Sequence, residues 1–298
     1  MSRTWTLTKM RMRLAMRNRM FLFFSLVMPL GFLVFGVMIF SKGSPGLVAY
    51  ILGAILTVTV MGSFWGLSVQ LVTFREQGIL RRFRLAPVGA GPLLASSILS
   101  NYFLIIPSVV VEMFVCRWAF HMETWGNLWA IIILVTFGSA TFSAFGLIVA
   151  SITNTMQETQ IINQLVWTVF LFLSGASFPL AIFPQWIQRC ALFNPATYLA
   201  TGLEAATTNL VSTGEILTDV LALAIGLYAA FEISRQIFRW EPEAKVSRRA
   251  KLWVLAVLVP FLAFGAYENA SGTRLARIQQ DFQHITGQLS MPPMPRSR

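Results

Sequence analysis

Histidine, cysteine and acidic side chains are scarce in this chain, which has two His, two Cys and 12 Asp+Glu among 298 residues. His121 and His284 lie far apart, with no carboxylates or thiols at metal-ligand spacing beside them, which leaves no His-based metal site. No G-x-x-x-x-G-K-[ST] phosphate loop and no G-x-S-x-G elbow occurs. Any work done by ATP therefore depends on another chain. A membrane-embedded enzyme, a third class of function, would need a polar catalytic cluster, and none is found. Charged residues of both signs make up only 12% of the chain, about half the share of an ordinary soluble domain.

Apolar residues fill the space that charge leaves. The chain is 56% hydrophobic with 25 Phe and 9 Trp, and its mean hydropathy of +0.66 exceeds what a soluble core can hide. Apolar runs of about 20 residues recur, each long enough to cross a hydrocarbon layer as a helix. Helices satisfy their own backbone in lipid, so the expected fold is all-α, a polytopic transmembrane helical bundle. The expected spans are Phe21–Phe40, Leu47–Val72, Leu93–Val115, Leu128–Ile152, Ile161–Phe178 and Ile216–Phe238, with a shorter seventh candidate at Leu252–Tyr267 that contains Pro260. The first run is too long for the apolar part of a signal peptide and leads into "SKGSPG" without a cleavage motif, so it reads as a span.

Net charge is +11, but the basic residues fall in short loops between spans, and no nucleic-acid-binding motif accompanies them. With the N-terminus inside, 16 of the 23 Lys+Arg are cytoplasmic, which favours that orientation. Before the first span, Lys9, Arg13 and Arg17 share one helical face, with Leu7, Met10 and Leu14 near another and Trp5 beside them. An interfacial helix and a merely basic topogenic flank both fit this pattern. After the last apolar run, Leu275, Ile278, Phe282, Ile285 and Leu289 form an apolar stripe on a short amphipathic helix, suited to docking on the membrane surface or on the transporter itself. Cys116 and Cys190 fall on the expected outer side, where a disulfide is permitted but spacing does not require one. Asn269-Ala270-Ser271 matches a glycosylation sequon by chance composition.

Polar positions inside the spans are few enough to name. Thr59, Ser63, Gly66 and Gln70 recur on one face of the second span, and Gly62-x-x-x-Gly66 offers a surface for close helix approach. In the fifth, Gln160, Gln164, Thr168 and Ser174 roughly share a side, adjoined by Asn163 and Trp167. Thr59, Ser63, Gln70, Gln160, Asn163, Gln164, Trp167 and Thr168 are thus candidates for a substrate path, against the plainer reading of interhelical hydrogen bonding. Ser139, Ser143 and Gly146 read as packing. Glu112, Asp219 and Glu232 sit near span ends, with Glu232 placed to pair with Arg235.

The segment "FREQGILRRFRLAPVGAGPLL" carries Arg75, Arg81, Arg82 and Arg84. An arginine at mid-bilayer costs about 2.5 to 3.5 kcal/mol, so the cluster belongs at the surface. "REQGILRRFR" suits a short helix with Ile79, Leu80 and Phe83 on its packed side, stopped by Pro87. Such an element can pass a push from a cytoplasmic partner into the bundle, or serve as a bare loop on anionic lipid.

Extended to Ser100, this run resembles the coupling region of type-2 ABC transporter permeases, the export class that handles drugs and polysaccharides. "LSGASFPLAIFPQWIQRCALFNPATYLATGLEAA" resembles the same family's second landmark, S-G-x-x-F-P, P-x-W and N-P-x-x-Y. The resemblance covers residues 1–240. It implies a six-span transmembrane domain with an interfacial N-terminal helix, a cytoplasmic coupling helix at 74–87 and an extracytoplasmic re-entrant region at 179–205. It assigns Arg75, Glu76, Gly78, Leu80, Arg81, Arg82, Arg84 and Pro87 to coupling, and Ser174, Gly175, Phe178, Pro179, Pro184, Trp186, Asn194, Pro195 and Tyr198 to an extracytoplasmic gate. It further implies two permease subunits, a homodimer, with two cytoplasmic ABC ATPase subunits. ATP and Mg would be held by those ATPases and no cofactor by this chain. The setting is a bacterial plasma membrane with its lipids, and no nucleic acid. The expected function is export of an amphipathic, drug-like or lipid-linked substrate by alternating access. An ion-gradient-driven carrier or channel is the alternative. Residues 241–298 depart from the family as a C-terminal extension, with the candidate span 252–267 and a tail helix at 273–290.

Overall fold

A computed structural model describes residues 3–17, 19–41, 44–80, 89–210, 213–238 and 256–290. Among these residues there are eleven α-helices and no strand: α1 (Arg3–Arg17), α2 (Arg19–Phe40), α3 (Pro45–Glu76), α4 (Ala90–Trp118), α5 (Leu128–Ile152), α6 (Met156–Ser174), α7 (Gln185–Ala191), α8 (Pro195–Thr208), α9 (Thr213–Ile237), α10 (Val259–Ser271) and α11 (Thr273–Ser290). A single 3₁₀ turn, Leu180–Ile182, lies between α6 and α7.

Four helices, α3, α4, α5 and the Ile216–Ile237 part of α9, are long and apolar enough to cross a membrane. In α2 the apolar stretch Ser25–Phe40 is shorter, and the helix carries Pro29. The α5 boundaries coincide with the sequence expectation. Those of α6 do not, because this helix begins at Met156 and ends at Ser174, four residues before Phe178. Its start is set by Thr155, whose hydroxyl accepts from the Glu158 N–H while the Glu158 carboxylate accepts from Asn154 N. The reciprocal bonds resemble a capping box, which fixes a helix start locally. Its stop is Gly175, at φ 95°, a left-handed conformation that closes helices and suits glycine.

The central helix is α3, packed by α5, α8, α4, α2 and α6. Its buried Leu52, Leu56, Val60 and Phe64 meet Phe142, Phe145 and Leu199 in one apolar core. At one end of the bundle lie Glu76, the α5–α6 turn, the start of α4 and the last turn of α9. At the other lie the start of α3, the 3₁₀ turn, α7 and α8.

On the first of these ends α1 docks onto α4. The Arg11 guanidinium donates to Ser97 Oγ, Ser100 Oγ donates to the Thr8 carbonyl at 3.4 Å, and the Trp5 and Phe103 rings meet at 6.1 Å. Arg11 is buried, and desolvation pulls its pKa down to about 10. The N-terminal helix is therefore packed on protein along one side, not only laid on a surface.

At the opposite end the C-terminal extension returns to the bundle. Phe261 of α10 sits on Gly226 of α9, where a Cβ would collide with the ring, and packs against Phe145 and Tyr198. Asn269 Nδ2 donates to the Arg189 carbonyl at 3.3 Å. The described part of the seventh apolar run thus climbs from mid-bundle to the α7–α8 end, and its first residues, 252–255, lie outside the described residues. Cys116 is buried, Cys190 is exposed, and both are free thiols.

Candidate functional site: a coupling end, a cavity and a covered gate

At the coupling end, Phe74, Arg75 and Glu76 form the last turn of α3, not the opening of a separate element at 74. A turn at Gln77–Gly78 follows, with Gly78 at φ 69°, and helical backbone resumes at Ile79. Arg75 is buried and donates from Nη1 to the Thr153 carbonyl at 3.0 Å, while Glu76 Oε1 accepts from Met156 N at 2.8 Å. Two adjacent side chains thereby fasten the end of α3 to the close of α5 and the start of α6. Leu80 is fully buried against Leu71, Leu93 and Leu147. Arg81, Arg82, Arg84 and Pro87 lie outside the described residues.

Midway along the bundle, a cavity of about 360 Å³ opens between α2, α3, α4 and α6. Thr59, Ser63, Gly62 and Gly66 of α3 line it, with Asn101 and Ser108 of α4 and Trp167 of α6. Gly62 and Gly66 do not serve close helix approach. A Cβ at Gly62 would meet nothing within 4 Å, and one at Gly66 would meet only Asn101 Oδ1 at 3.7 Å. Their missing side chains leave space, and Asn101 Nδ2 crosses to Ser143 Oγ at 2.9 Å.

The stripe expected on α6 divides. Asn163 turns inward and donates to Ser68 Oγ at 2.7 Å, and Trp167 reaches the cavity, its ring 6.4 Å from Trp65. Gln160, Gln164 and Thr168 lie on the exposed face with Ile161, Leu165 and Val169, away from the cavity. Gln70 is half-buried about one turn below Gly66 and does not line the cavity.

Glu112, which the sequence pattern places near the end of its span and outside the polar stripes, is a neighbour of the cavity. Fully buried on α4, it accepts from Thr59 Oγ1 and Ser108 Oγ, each at 2.9 Å and each to Oε1. Its other oxygen has no partner, and no ion pair reaches it among the described residues.

The gate motif is built at the far end. Asn194 caps α8 by accepting from Ala196 N at 3.1 Å, and its amide reaches back to the Phe170 carbonyl at 3.2 Å. Pro195 occupies the first turn, where no N–H is needed. Tyr198 donates to the Leu192 carbonyl at 2.8 Å, closing α8 onto the α7 connection. Ser174 and Gly175 are buried at the break in α6, whereas Phe178 and Trp186 are exposed and Pro179 and Pro184 bracket the 3₁₀ turn. Gln188, unmarked by the motif, fixes this turn by donating to the Phe183 carbonyl at 2.8 Å.

Over that gate lies α11. Arg274 pairs with Asp219 at 2.6 Å and with Glu268 at 3.3 Å, donates to Thr201 Oγ1 at 3.0 Å, and stands 4.7 Å from the Tyr198 ring centre. Burial alone would pull the Arg274 guanidinium down, but the Asp219 and Glu268 carboxylates outweigh it and hold its pKa above the ordinary arginine value. Ile278 and Phe282 line a small enclosed space with Gly175, Pro179 and Leu180. The amphipathic helix therefore docks on its own bundle through Ile278 and Phe282 of the apolar stripe read from the sequence, and through an arginine that lies outside that stripe.

Comparison with known proteins agrees with this arrangement. Linearmycin resistance permease protein LnrN of Bacillus subtilis (strain 168) is 26% identical over 172 residues, which are 58% of this chain and 43% of that protein, so the match spans less than half of the relative's length. Residues 2–207 match the family described as ABC-2 type transporter, a stretch running from α1 through α8 and containing both the α3 end and the Asn194–Tyr198 cap. With that match across most of its length and an all-helical bundle of apolar helices, this chain belongs to the ABC-2 type transporter family, multi-pass membrane subunits of ABC transporters that generally work with a cytoplasmic ATPase.

Proposed function

We propose that the chain is the permease subunit of an ATP-driven exporter that moves an amphipathic, drug-like or lipid-linked substrate out of the cytoplasm by alternating access. The observation that carries this is the fastening of α3 to the α5–α6 turn by Arg75 and Glu76, directly before the arginine-rich segment. A push on that segment would move α3 and α6 together, and these helices form two walls of the cavity. The resistance permease named above favours a drug-like cargo.

In this reading Arg75, Glu76, Gly78, Leu80, Arg81, Arg82, Arg84 and Pro87 form the coupling region that meets the ATPase, which holds ATP and Mg, with the buried Arg75 and Leu80 anchoring that region to the bundle. The N-terminus is cytoplasmic, in the inner membrane of a bacterium, and the gate with its α11 cover faces outward. A second copy of the chain is the partner for α6. Gln160, Gln164 and Thr168 on its exposed face would be costly against lipid, where side-chain amides find no partner, and a facing helix supplies one. The cavity would then adjoin the interface between copies.

A gradient-driven carrier is the second reading, favoured by the buried Glu112 carboxyl, and full transport by the purified chain without any ATPase would establish it. The deciding test of the first is charge reversal at Arg81→Glu and Arg82→Glu, with the ATPase co-expressed. ATP hydrolysis should persist while export of an amphipathic dye is lost, with membrane insertion unchanged. Export that remains coupled in the double variant would remove the assignment.

A further inference from the structure

We propose that the cavity between α2, α3, α4 and α6 takes cargo carrying a protonated amine on an apolar body, with Glu112 as its counter-charge. The proposal rests on the substrate-path reading above and names the substrate class of that path.

The argument begins with what surrounds the carboxyl group. Thr59 and Ser108 both line the cavity; Thr59 turns its hydroxyl hydrogen onto Glu112 Oε1, and Ser108 Oγ lies within donating reach of both Glu112 Oε1, at 2.9 Å, and the Ser25 carbonyl, at 3.1 Å. Their oxygen lone pairs are left to accept from an occupant. One turn beyond Thr59, Ser63 Oγ also lines the cavity, is buried, and has no partner. Three hydroxyl oxygens thus stand before a carboxyl whose second oxygen is also unpartnered. Such a constellation presents acceptor oxygens with no positive charge beside them, and an ammonium group supplies the charge together with N–H donors.

At the α7–α8 end of the bundle, the buried acids Asp219 and Glu268 already share a cation, Arg274. Glu112 has none among the described residues. An isolated carboxylate away from water is strongly disfavoured, so the site favours a cation as its occupant. Trp65 and Trp167 supply the remaining wall. Their rings meet edge to face at 83°, which leaves indole faces for cation–π contact. Met28, Phe32 and Ile105 offer apolar surface to the rest of the cargo. A neutral lipid chain would use that surface but gain nothing from the carboxyl.

The test needs no ATPase, so its outcome is separable from that of the exporter reading. The full chain is placed in phosphatidylcholine nanodiscs at pH 7, and binding of radiolabelled decylamine, which is protonated there, is compared with that of radiolabelled decanol. The cation should bind saturably and more tightly than the alcohol. Glu112→Gln should weaken the cation about tenfold and leave decanol unchanged, in line with loss of a desolvated counter-charge. Ser63→Leu, which narrows the cavity without altering the carboxyl, should abolish saturable binding and covers the case in which Glu112→Gln fails to insert. Equal cation affinity in wild type and Glu112→Gln overturns the proposal, as does decanol binding as tightly as the cation, which would assign the cavity to lipid chains. A Glu112-dependent site that persists while Arg81→Glu and Arg82→Glu remain coupled would sink the exporter reading alone.

Discussion

Two buried acidic regions of this bundle have opposite characters. Near the α7–α8 end, Asp219, Glu268, Arg274 and the Tyr198 ring form a compensated cluster in which two carboxylates share one guanidinium. Beside the cavity, Glu112 has two hydroxyls and no base among the described residues. The first arrangement holds the C-terminal extension to the core. The second leaves electrostatic demand unmet, which is what a binding site can use. Burial of an acid inside a bundle therefore says little about its role until its partners are known.

Removing Arg274 should have the largest effect on this contrast. Arg274→Ala leaves two buried carboxylates uncompensated and should destabilise the protein by about 3 to 5 kcal/mol, read as an early unfolding transition in detergent. Combining it with Asp219→Asn and Glu268→Gln should recover much of the loss, since no charge then remains to be compensated. A loss under about 1 kcal/mol for Arg274→Ala alone would show that the cluster is not what holds α11.

Arg75→Met should come next. It leaves the buried Thr153 carbonyl without its donor and should cost about 1 to 3 kcal/mol, while reducing the export obtained per ATP hydrolysed. Coupling that is unchanged despite the stability loss would confine Arg75 to a structural role. Glu112→Gln should have the smallest stability effect. Its amide oxygen can still accept from Thr59 and Ser108, and a change within about 1 kcal/mol is expected from thermal unfolding. A loss as large as that of Arg274→Ala would mean that Glu112 neutralises a cation after all, and the contrast would collapse.

How much of this could be read from the sequence follows from the range of each interaction. Hydropathy located the apolar helices, and α5 begins and ends where its run does, because Asn127 caps it and the apolar pattern stops at Ile152. The end of α6 was placed too late, since Phe178 is apolar but a single left-handed Gly175 had already closed the helix. Gly62 and Gly66 looked like a packing surface, and only the positions of α2, α4 and α6 reveal that they border open space. Gln160, Gln164 and Thr168 were grouped with Trp167 from approximate helical phase, yet α6 presents the two sets to different surroundings. Asp219, Glu268 and Arg274 were beyond any local pattern: the first stands 55 positions from the arginine, and the pairing exists only because α10 and α11 fold back on α9. The N-P-x-x-Y pattern gave no sign of the bonds that Asn194 makes to Phe170 and Tyr198 to Leu192, since both depend on how α6 and α7 lie against α8.

The paired grip of Arg75 and Glu76 has one more consequence. Because it joins the foot of the second crossing to the hinge between the fourth and fifth, those three rods cannot rock independently at that level. A tilt imposed at that level would be carried along the fifth rod to its far extremity, where the left-handed Gly175 ends it.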